Sequence, residues 1–265
     1  MQLQISHTTH YRYDKPVDYA LQRVHLRPMT MDIQEVGSWD LEIEGGRIEA
    51  SYRDHYGNHS DLISTDPGVQ TLAITATGSV TTRDTSGVVG KVYGRAPLWH
   101  FLQSTPLTVA GPKIRALSKI IMQSDDQLSG LHALSAAILE ATPYKLGETD
   151  TNSTAEDVIG IGSGVCQDHA HVFTAAARAA GIPARYVSGY LMINDQIDQD
   201  ASHAWAEVHL DELGWVGFDV SNGVAPDDKY VRLAVGRDTR DAAPIKGMRL
   251  GDSDETMIVS LQVQQ

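Results

Sequence analysis

The stretch Gly162-Ser163-Gly164-Val165-Cys166-Gln167-Asp168 decides the interpretation of this chain, because it places the single cysteine of 265 residues at the start of a predicted helix. Glycines before the cysteine allow a tight turn, and Gly181-Ile182-Pro183 ends the helix. A thiol in the first turn of a helix lies near free backbone N–H groups and the positive end of the helix dipole, which favour the thiolate. A lone cysteine without such a setting is more often an inert core residue. The setting therefore predicts a nucleophile, with the N–H of Cys166 as a donor to a developing oxyanion.

A nucleophilic thiol needs a base, and the strand predicted from Ser202 to Leu210 supplies a histidine. In its alternating pattern His203 shares a face with Trp205, Glu207 and His209. The segment Asp211-Glu212-Leu213-Gly214 then predicts a hairpin to a second strand, Trp215 to Val220, which carries Asp219. His203 and Asp219 are thus the candidate base and its orienting acid.

The register of this hairpin determines whether the two side chains meet. If His209 pairs with Trp215, then Trp205 faces Asp219, and His203 lies one diagonal step away on the same face. A slip of one residue would move Asp219 to the opposite face. In the productive register we expect Asp219 to hold the Nδ1–H of His203, leaving Nε2 to exchange a proton with Cys166.

The chain as a whole predicts an α+β fold in two domains, divided near residue 92 within the glycine-containing segment 84–97. Short alternating runs from Leu3 to Arg83 predict an antiparallel β domain over 1–92. Residues 93–265 are expected to form the catalytic core, in which helices pack on a mostly antiparallel sheet. Its elements are predicted helices from Pro112, around Leu131 to Ile138 and from Cys166 to Ala180, and strands at 184–191, 202–210, 215–220 and 257–263.

Composition excludes several classes of function. The formal charge is -13, with 34 acidic residues against 21 Lys and Arg, so we expect no nucleic-acid partner and no binding to anionic membrane surfaces. One cysteine excludes internal disulfides and cysteine-rich zinc sites. No signal-like start and no run of some eighteen apolar residues is present, which predicts a cytoplasmic protein.

Several blocks of sequence, taken in order, resemble the bacterial transglutaminase-like family. The core blocks are Gly164 to Asp168, Gly181 to Tyr190, Ser202 to Trp205 and Gly214 to Asp219, and the N-terminal ones are His10-Tyr11-Arg12-Tyr13 and Tyr56-Gly57-Asn58. The resemblance spans nearly the whole chain. It implies a papain-like α+β core with a Cys-His-Asp triad at Cys166, His203 and Asp219.

The resemblance also bears on residues around the triad. Some related enzymes use a side chain as a further oxyanion donor, and Tyr144 is the candidate here; the alternative is a core tyrosine with a bonded hydroxyl. Gln167 and Trp205 are candidate neighbours of the site, although Gln167, like Asp168, is also explained by its place in the first turn of the helix. After Asp219 this chain has Val220-Ser221-Asn222 where the family usually has Pro and Thr, with little catalytic consequence expected.

The function implied is acyl transfer from an amide or peptide bond through a thioester on Cys166, without metal or cofactor. Hydrolysis of a peptide or protein substrate is favoured, and transamidation by an amine is the alternative. A catalytically silent binding module on the same fold remains a further possibility. A metal site built from Cys166, His169 and His171 is disfavoured because residues two apart on a helix point in different directions. The oligomeric state is left open.

Overall fold

The N-terminal part of the chain is antiparallel β structure. The computed structural model describes residues 1–91, 94–194, 196–199, 201–250 and 254–265. Its N-terminal strands are β1 (Gln2–Val17), β2 (Tyr19–Val24), β3 (Gln34–Glu44), β4 (Gly46–Arg53), β5 (His59–Thr65) and β6 (Val69–Thr82). Alternate residues of β1, such as Leu3, Ile5 and Tyr13, are buried. The alternation predicted from the sequence therefore corresponds to a sheet with one face in a core.

Both ends of the chain build the N-terminal sheets. The last strands, β13 (Ile245–Leu250) and β14 (Glu255–Gln264), pair antiparallel with β2 and β1 respectively. One sheet has the order β3-β6-β1-β14, ending in a short strand β9 (Asp198–Gln199), and the other has the order β13-β2-β5-β4. They share a hydrophobic core with Ile63, Leu72 and Val263. The predicted cut near residue 92 lies at Val92, outside the described residues, and the division into two domains stays a prediction.

Helices follow a short 3-10 helix at Leu98–Leu102. They are α1 (Pro112–Met122), α2 (Gln127–Ala141), α3 (Ala155–Ile161), α4 (Cys166–Ala179) and α5 (Thr239–Ala242). The predictions for α1, α2 and α4 are confirmed, since Pro112 begins α1 and the buried Leu131, Leu134 and Ile138 line α2. The sequence interpretation missed α3, which Thr154 caps by accepting a hydrogen bond from the Asp157 N–H.

A central sheet carries the strands on which the candidate site was predicted. Its order is β12-β8-β10-β11-β7, from β12 (Tyr230–Gly236), β8 (Ala184–Leu191), β10 (His203–Leu210), β11 (Gly214–Phe218) and β7 (Val88–Gly90). The described neighbours pair antiparallel. One face packs on the helices through Ala206, Val208 and Phe218. The opposite face holds Trp205 and Trp215. The α+β prediction is correct.

The hairpin of β10 and β11 has the predicted register. His209 lies opposite Trp215, and Glu207 lies opposite Gly217. Gly214 occupies the left-handed region with φ 75° at the end of the connection, a conformation that favours glycine. The register therefore keeps odd-numbered residues of both strands on one face. However, β11 ends at Phe218, short of the predicted Val220, and Asp219 forms a bridge with Val224 and is not paired with Trp205 as predicted.

Candidate active site

Cys166 is the first residue of α4 and is 9% exposed. Its helical neighbours Ala170 and Phe173 are buried, so the first turn is anchored in the interior. The first N–H groups of a helix have no acceptor within the helix, and the dipole adds positive potential there. The thiol therefore lies where negative charge on sulfur is stabilised.

The turn before Cys166 depends on two glycines. Gly162 ends α3 in the left-handed region with φ 79°. A Cβ on Gly164 would lie 2.9 Å from the Asp168 Cβ, so glycine lets this carboxylate fold back over the turn. Asp168 then accepts hydrogen bonds at 2.8 Å from the Val165 N–H and at 2.6 Å from the Thr149 hydroxyl. The first turn of α4 is thereby fixed, as its acidic position predicted.

His203 and Asp219 meet directly. The His203 Nε2 and the Asp219 Oδ2 are 2.6 Å apart, and Cys166 lies close enough to the imidazole to contribute to its raised pKa. The prediction that Nδ1 would face Asp219 is wrong. Because Nε2 bonds to the carboxylate, Nδ1 is the nitrogen left for the thiol. The strand register places His203 near Asp219. The side-chain torsions of His203 then determine which ring nitrogen bonds to the carboxylate.

The charges of the pair reinforce each other. Burial would by itself lower the pKa of His203, but its hydrogen bonds to Asp219 and Cys166, together with their charges, raise the pKa to about 10. Burial would likewise raise the pKa of Asp219, yet the hydrogen bond and charge of His203 lower it. An imidazolium facing the Asp219 carboxylate is therefore the favoured state of the pair at neutral pH.

Two further residues hold Asp219, and the sequence interpretation missed both roles. The Tyr230 hydroxyl donates to the Asp219 Oδ2 at 2.7 Å, and the Asn222 side-chain amide donates to the same oxygen at 2.7 Å. Backbone hydrogen bonds between Asp219 and Val224 close the turn that brings Asn222 back. Asn222 was noted only as a departure from the family pattern. The sequence feature that could have indicated this role is the amide residue Asn222, three positions after Asp219.

His169 ties the cysteine helix to the aspartate turn. Its Nε2–H donates to the Thr142 carbonyl at 2.7 Å, and its Nδ1 accepts from the Ser221 hydroxyl at 2.7 Å. Burial lowers the pKa of His169, so the ring stays neutral and can serve both partners. Ser221, the other departure from the family pattern, thus supports the turn that carries Asp219.

Trp205 lies behind the catalytic pair and is 3% exposed. Its ring stacks at 6.2 Å from the His203 ring and meets the Tyr230 ring edge-on at 5.5 Å. It also covers Gly189, where a Cβ would lie 2.5 Å from the indole. Trp205 is therefore a packing wall that fixes the histidine ring.

Tyr144 lies beside the first turn of α4. A parallel bridge pairs it with Gly164, and the charges of Cys166 and Asp168 add to burial in raising its pKa. The side chain is 51% exposed, so the alternative of a core tyrosine is wrong. Gln167 is exposed in the same turn.

The histidines near Cys166 do not converge on a metal position. Within the described ranges, no group of three or more His, Cys, Asp or Glu side chains could hold a metal ion. His171 instead accepts from the Thr239 N–H at 3.1 Å, away from the partners of His169. Among the residues that the structure describes, no helix is long and apolar enough to cross a membrane.

Comparison with known families agrees with this architecture. Residues 115–220 match the model of the transglutaminase-like superfamily, and residues 3–81 match the bacterial transglutaminase-like N-terminal region. The first match contains Cys166, His203 and Asp219, and the second covers most of the N-terminal sheets. The chain belongs to the transglutaminase-like superfamily, as a core with this bacterial N-terminal region.

Similar proteins extend over the whole chain. An uncharacterized protein of Mycobacterium leprae is 26% identical over 274 residues, covering 98% of both chains. One from Mycobacterium tuberculosis is 28% identical over 289 residues, covering 98% of this chain and 91% of the relative. A protein of Cytophaga hutchinsonii described as a "Putative Cysteine Protease" has a solved structure with TM-score 0.79 and 23% identity, covering 100% of this chain and 91% of that one. This likeness shows the fold.

One relative has a named activity. A protein-glutamine gamma-glutamyltransferase of Pseudomonas aeruginosa is 33% identical over 133 residues. The aligned part covers 44% of this chain and 19% of that protein.

Proposed function

We propose that this chain is a cysteine-dependent enzyme that cleaves an amide or peptide bond through a thioester on Cys166, and that water completes the reaction. The observation that carries this proposal is the 2.6 Å contact between the His203 Nε2 and the Asp219 Oδ2, next to a thiol at the N-terminus of α4. A buried acid, an imidazole and a thiol in this order form the general arrangement of a nucleophilic triad.

The proposed reaction proceeds in two halves. The Cys166 sulfur attacks the carbonyl carbon, and the Cys166 N–H stabilises the negative charge on oxygen. His203 gives its proton to the leaving nitrogen as the C–N bond breaks. Water then attacks the thioester while His203 takes one of its protons, the C–S bond breaks, and the acid product leaves the regenerated thiol. In this scheme Asp219 orients the ring and stabilises the imidazolium.

Tyr144 is proposed as a further donor to the oxyanion. Tyr144 is half-exposed and lies on the segment paired with Gly164, two residues before the nucleophile. Because its pKa is raised, the hydroxyl stays protonated and able to donate. A Tyr144→Phe variant that retains full kcat would remove this residue from the scheme, while leaving the triad unaffected.

Transamidation is the second candidate. It is favoured by the similarity to the gamma-glutamyltransferase of Pseudomonas aeruginosa. In this version a primary amine attacks the thioester in place of water, and the same residues perform the first half. A peptide or protein carrying an amide is the proposed substrate in both versions, and the cytoplasmic location stays a prediction.

The reactivity of the thiol tests the triad. We expect iodoacetamide to alkylate Cys166 rapidly, and a His203→Ala variant to react at least tenfold more slowly because the thiolate loses its cationic partner. His132→Ala, an exposed histidine on α2, is the matched control and keeps the wild-type rate. Equal, slow alkylation in all three proteins would favour a silent binding module.

The outcome of the reaction requires a separate assay. Peptide libraries are incubated with the enzyme, scoring backbone cleavage, ammonia release and incorporation of a fluorescent amine, with Cys166→Ala as the blank. Cleavage or ammonia release without incorporation supports hydrolysis. Incorporation that exceeds hydrolysis at millimolar amine would replace it with transamidation.

A further inference from the structure

A buried group of charges lies on the face of the central sheet opposite α4. The Glu207 carboxylate accepts from the Arg185 Nε at 2.6 Å and from the Arg232 Nε at 3.0 Å. All three side chains are at most 7% exposed. Glu207 lies near the middle of β10, four residues beyond His203.

The group has one positive charge in excess. Among the ion pairs of the described residues, Glu207 is the sole acidic partner of both arginines. Burial of an uncompensated charge is costly. Consistent with this, burial lowers the pKa of Arg185 to about 9, and the charge of Arg232 adds to the effect. The position is thus suited to a negative charge supplied from outside the chain.

Arg185 also has hydrogen-bond donors to spare. In the described part of the chain its Nε makes the one well-aligned hydrogen bond of the guanidinium. The Nη2 is buried and lies 2.5 Å from the same Glu207 oxygen, but without hydrogen-bond geometry. The Nη2 is thus occupied by Glu207, whereas the Nη1 makes no hydrogen bond to a described residue. Because buried donors are normally satisfied, the Nη1 N–H groups are the ones left for an acceptor from outside the chain.

A cavity of about 420 Å³ opens beside this guanidinium. This volume is in the range of small-molecule sites. Its walls combine Arg185 and His209 with the apolar surfaces of Phe101 and Trp215, and Lys91 and Arg95 lie at its edge. The Arg185 Cζ lies 3.7 Å from the centroid of the Trp215 ring, which holds the guanidinium flat against the wall.

The charge of the cavity contrasts with that of the protein. Its described lining carries Lys91, Arg95 and Arg185 against one carboxylate, Asp211, whereas the chain has a formal charge of -13. The planar guanidinium fork matches the two oxygens of a carboxylate. We propose that this cavity binds a small organic carboxylate, whose oxygens meet the free N–H groups of Arg185 and whose apolar part contacts Phe101 and Trp215.

Calorimetry with benzoate tests this site. Sodium benzoate is titrated into the intact protein at constant ionic strength, with sodium acetate, inorganic phosphate and sodium chloride as separate arms. We expect saturable binding of benzoate with a Kd below about 10 mM. Acetate and phosphate should bind more weakly, and chloride should not bind. Benzoate heat that does not saturate, or equal binding of all four anions, would overturn the proposal.

Variants locate the bound probe. Lys91→Gln with Arg95→Gln is expected to weaken benzoate binding about three- to tenfold, as loss of two exposed charges implies. Arg53→Gln with Lys119→Gln removes two exposed charges elsewhere and is expected to leave it unchanged. Arg185→Met is expected to abolish it; Arg185→Lys is used if that variant fails to fold. Benzoate binding that persists unchanged in the Lys91 and Arg95 double variant would overturn the proposal, whatever the effect of the Arg185 variants.

Discussion

Removal of the Tyr230 hydroxyl is predicted to weaken the support of Asp219 while leaving the fold intact. In Tyr230→Phe the 2.7 Å hydrogen bond to the Asp219 Oδ2 is lost, but the ring keeps its contacts with His203 and Trp205. A hydrogen bond to a charged group contributes about 1.5–3 kcal/mol. Since His203 and Asn222 still donate to the carboxylate, we expect a loss at the lower end of this range. Tyr230→Phe should lower the free energy of unfolding by about 1.5 kcal/mol at pH 7.

The pH dependence of this loss distinguishes it from general damage. The pKa of Asp219 is lowered in the folded protein, partly by Tyr230. The stability that Asp219 provides is therefore present above its ordinary pKa and is lost as the pH falls through the lowered value. The gap in unfolding free energy between wild type and Tyr230→Phe should accordingly be widest at neutral pH and should narrow in acid.

Tyr190→Phe is the matched control. The buried Tyr190 hydroxyl bonds to the His7 Nδ1 at 2.8 Å, away from Asp219. Burial lowers the pKa of His7 to about 4. Above that pH, the difference in unfolding free energy between wild type and Tyr190→Phe should therefore be constant. Urea unfolding from pH 2 to 8 and iodoacetamide alkylation of Cys166 give the two measurements. Alkylation should slow about two- to tenfold in Tyr230→Phe alone; equal rates in both variants would refute the assigned role of Tyr230.

Three other substitutions, with one further control, have defined outcomes. Glu207→Gln leaves two buried guanidinium groups without a counter-charge, so urea unfolding should show a loss of about 3–5 kcal/mol; a loss below about 1 kcal/mol would mean the group is solvated. Gly189 lies opposite His203 on the neighbouring strand. Gly189→Ala inserts a Cβ against the Val231 carbonyl oxygen and the Trp205 indole, and should cost about 3 kcal/mol or more and slow alkylation of Cys166. Gly160→Ala, whose Cβ meets only the flexible end of Lys113, serves as its control and should be neutral or stabilising. Thr154→Ala removes the cap of α3 and should cost about 1 kcal/mol by thermal unfolding, with unchanged alkylation.

The parts of the site that local sequence patterns determine could be predicted. The turn glycines, the helix start at Cys166 and the hairpin register follow from residues close together in the chain. Tyr230 could not be found in this way, because its strand β12 joins the sheet by pairing with β8, about forty residues earlier. The choice of imidazole nitrogen is a side-chain rotation that no pattern of residues specifies.

The N-terminal sheets show the same limit. The terminal strand at 257–263 was predicted, but its partner was not, because alternation defines a face of a strand and not its neighbour. The sequence interpretation assigned it to the catalytic core, whereas it pairs with β1. Strand β13 was not predicted at all, and it pairs with β2.

The pairing of the two ends of the chain has a consequence for biosynthesis. Tyr13 lies opposite Glu255, and Gln4 lies opposite Gln264. On the ribosome, β1 therefore has one edge without its final neighbour until β14, Glu255–Gln264, has emerged. Contacts that span such a distance along the chain slow folding, and an unpaired edge strand invites pairing with other molecules. We therefore expect this protein to depend on chaperones during synthesis more than its size alone would suggest.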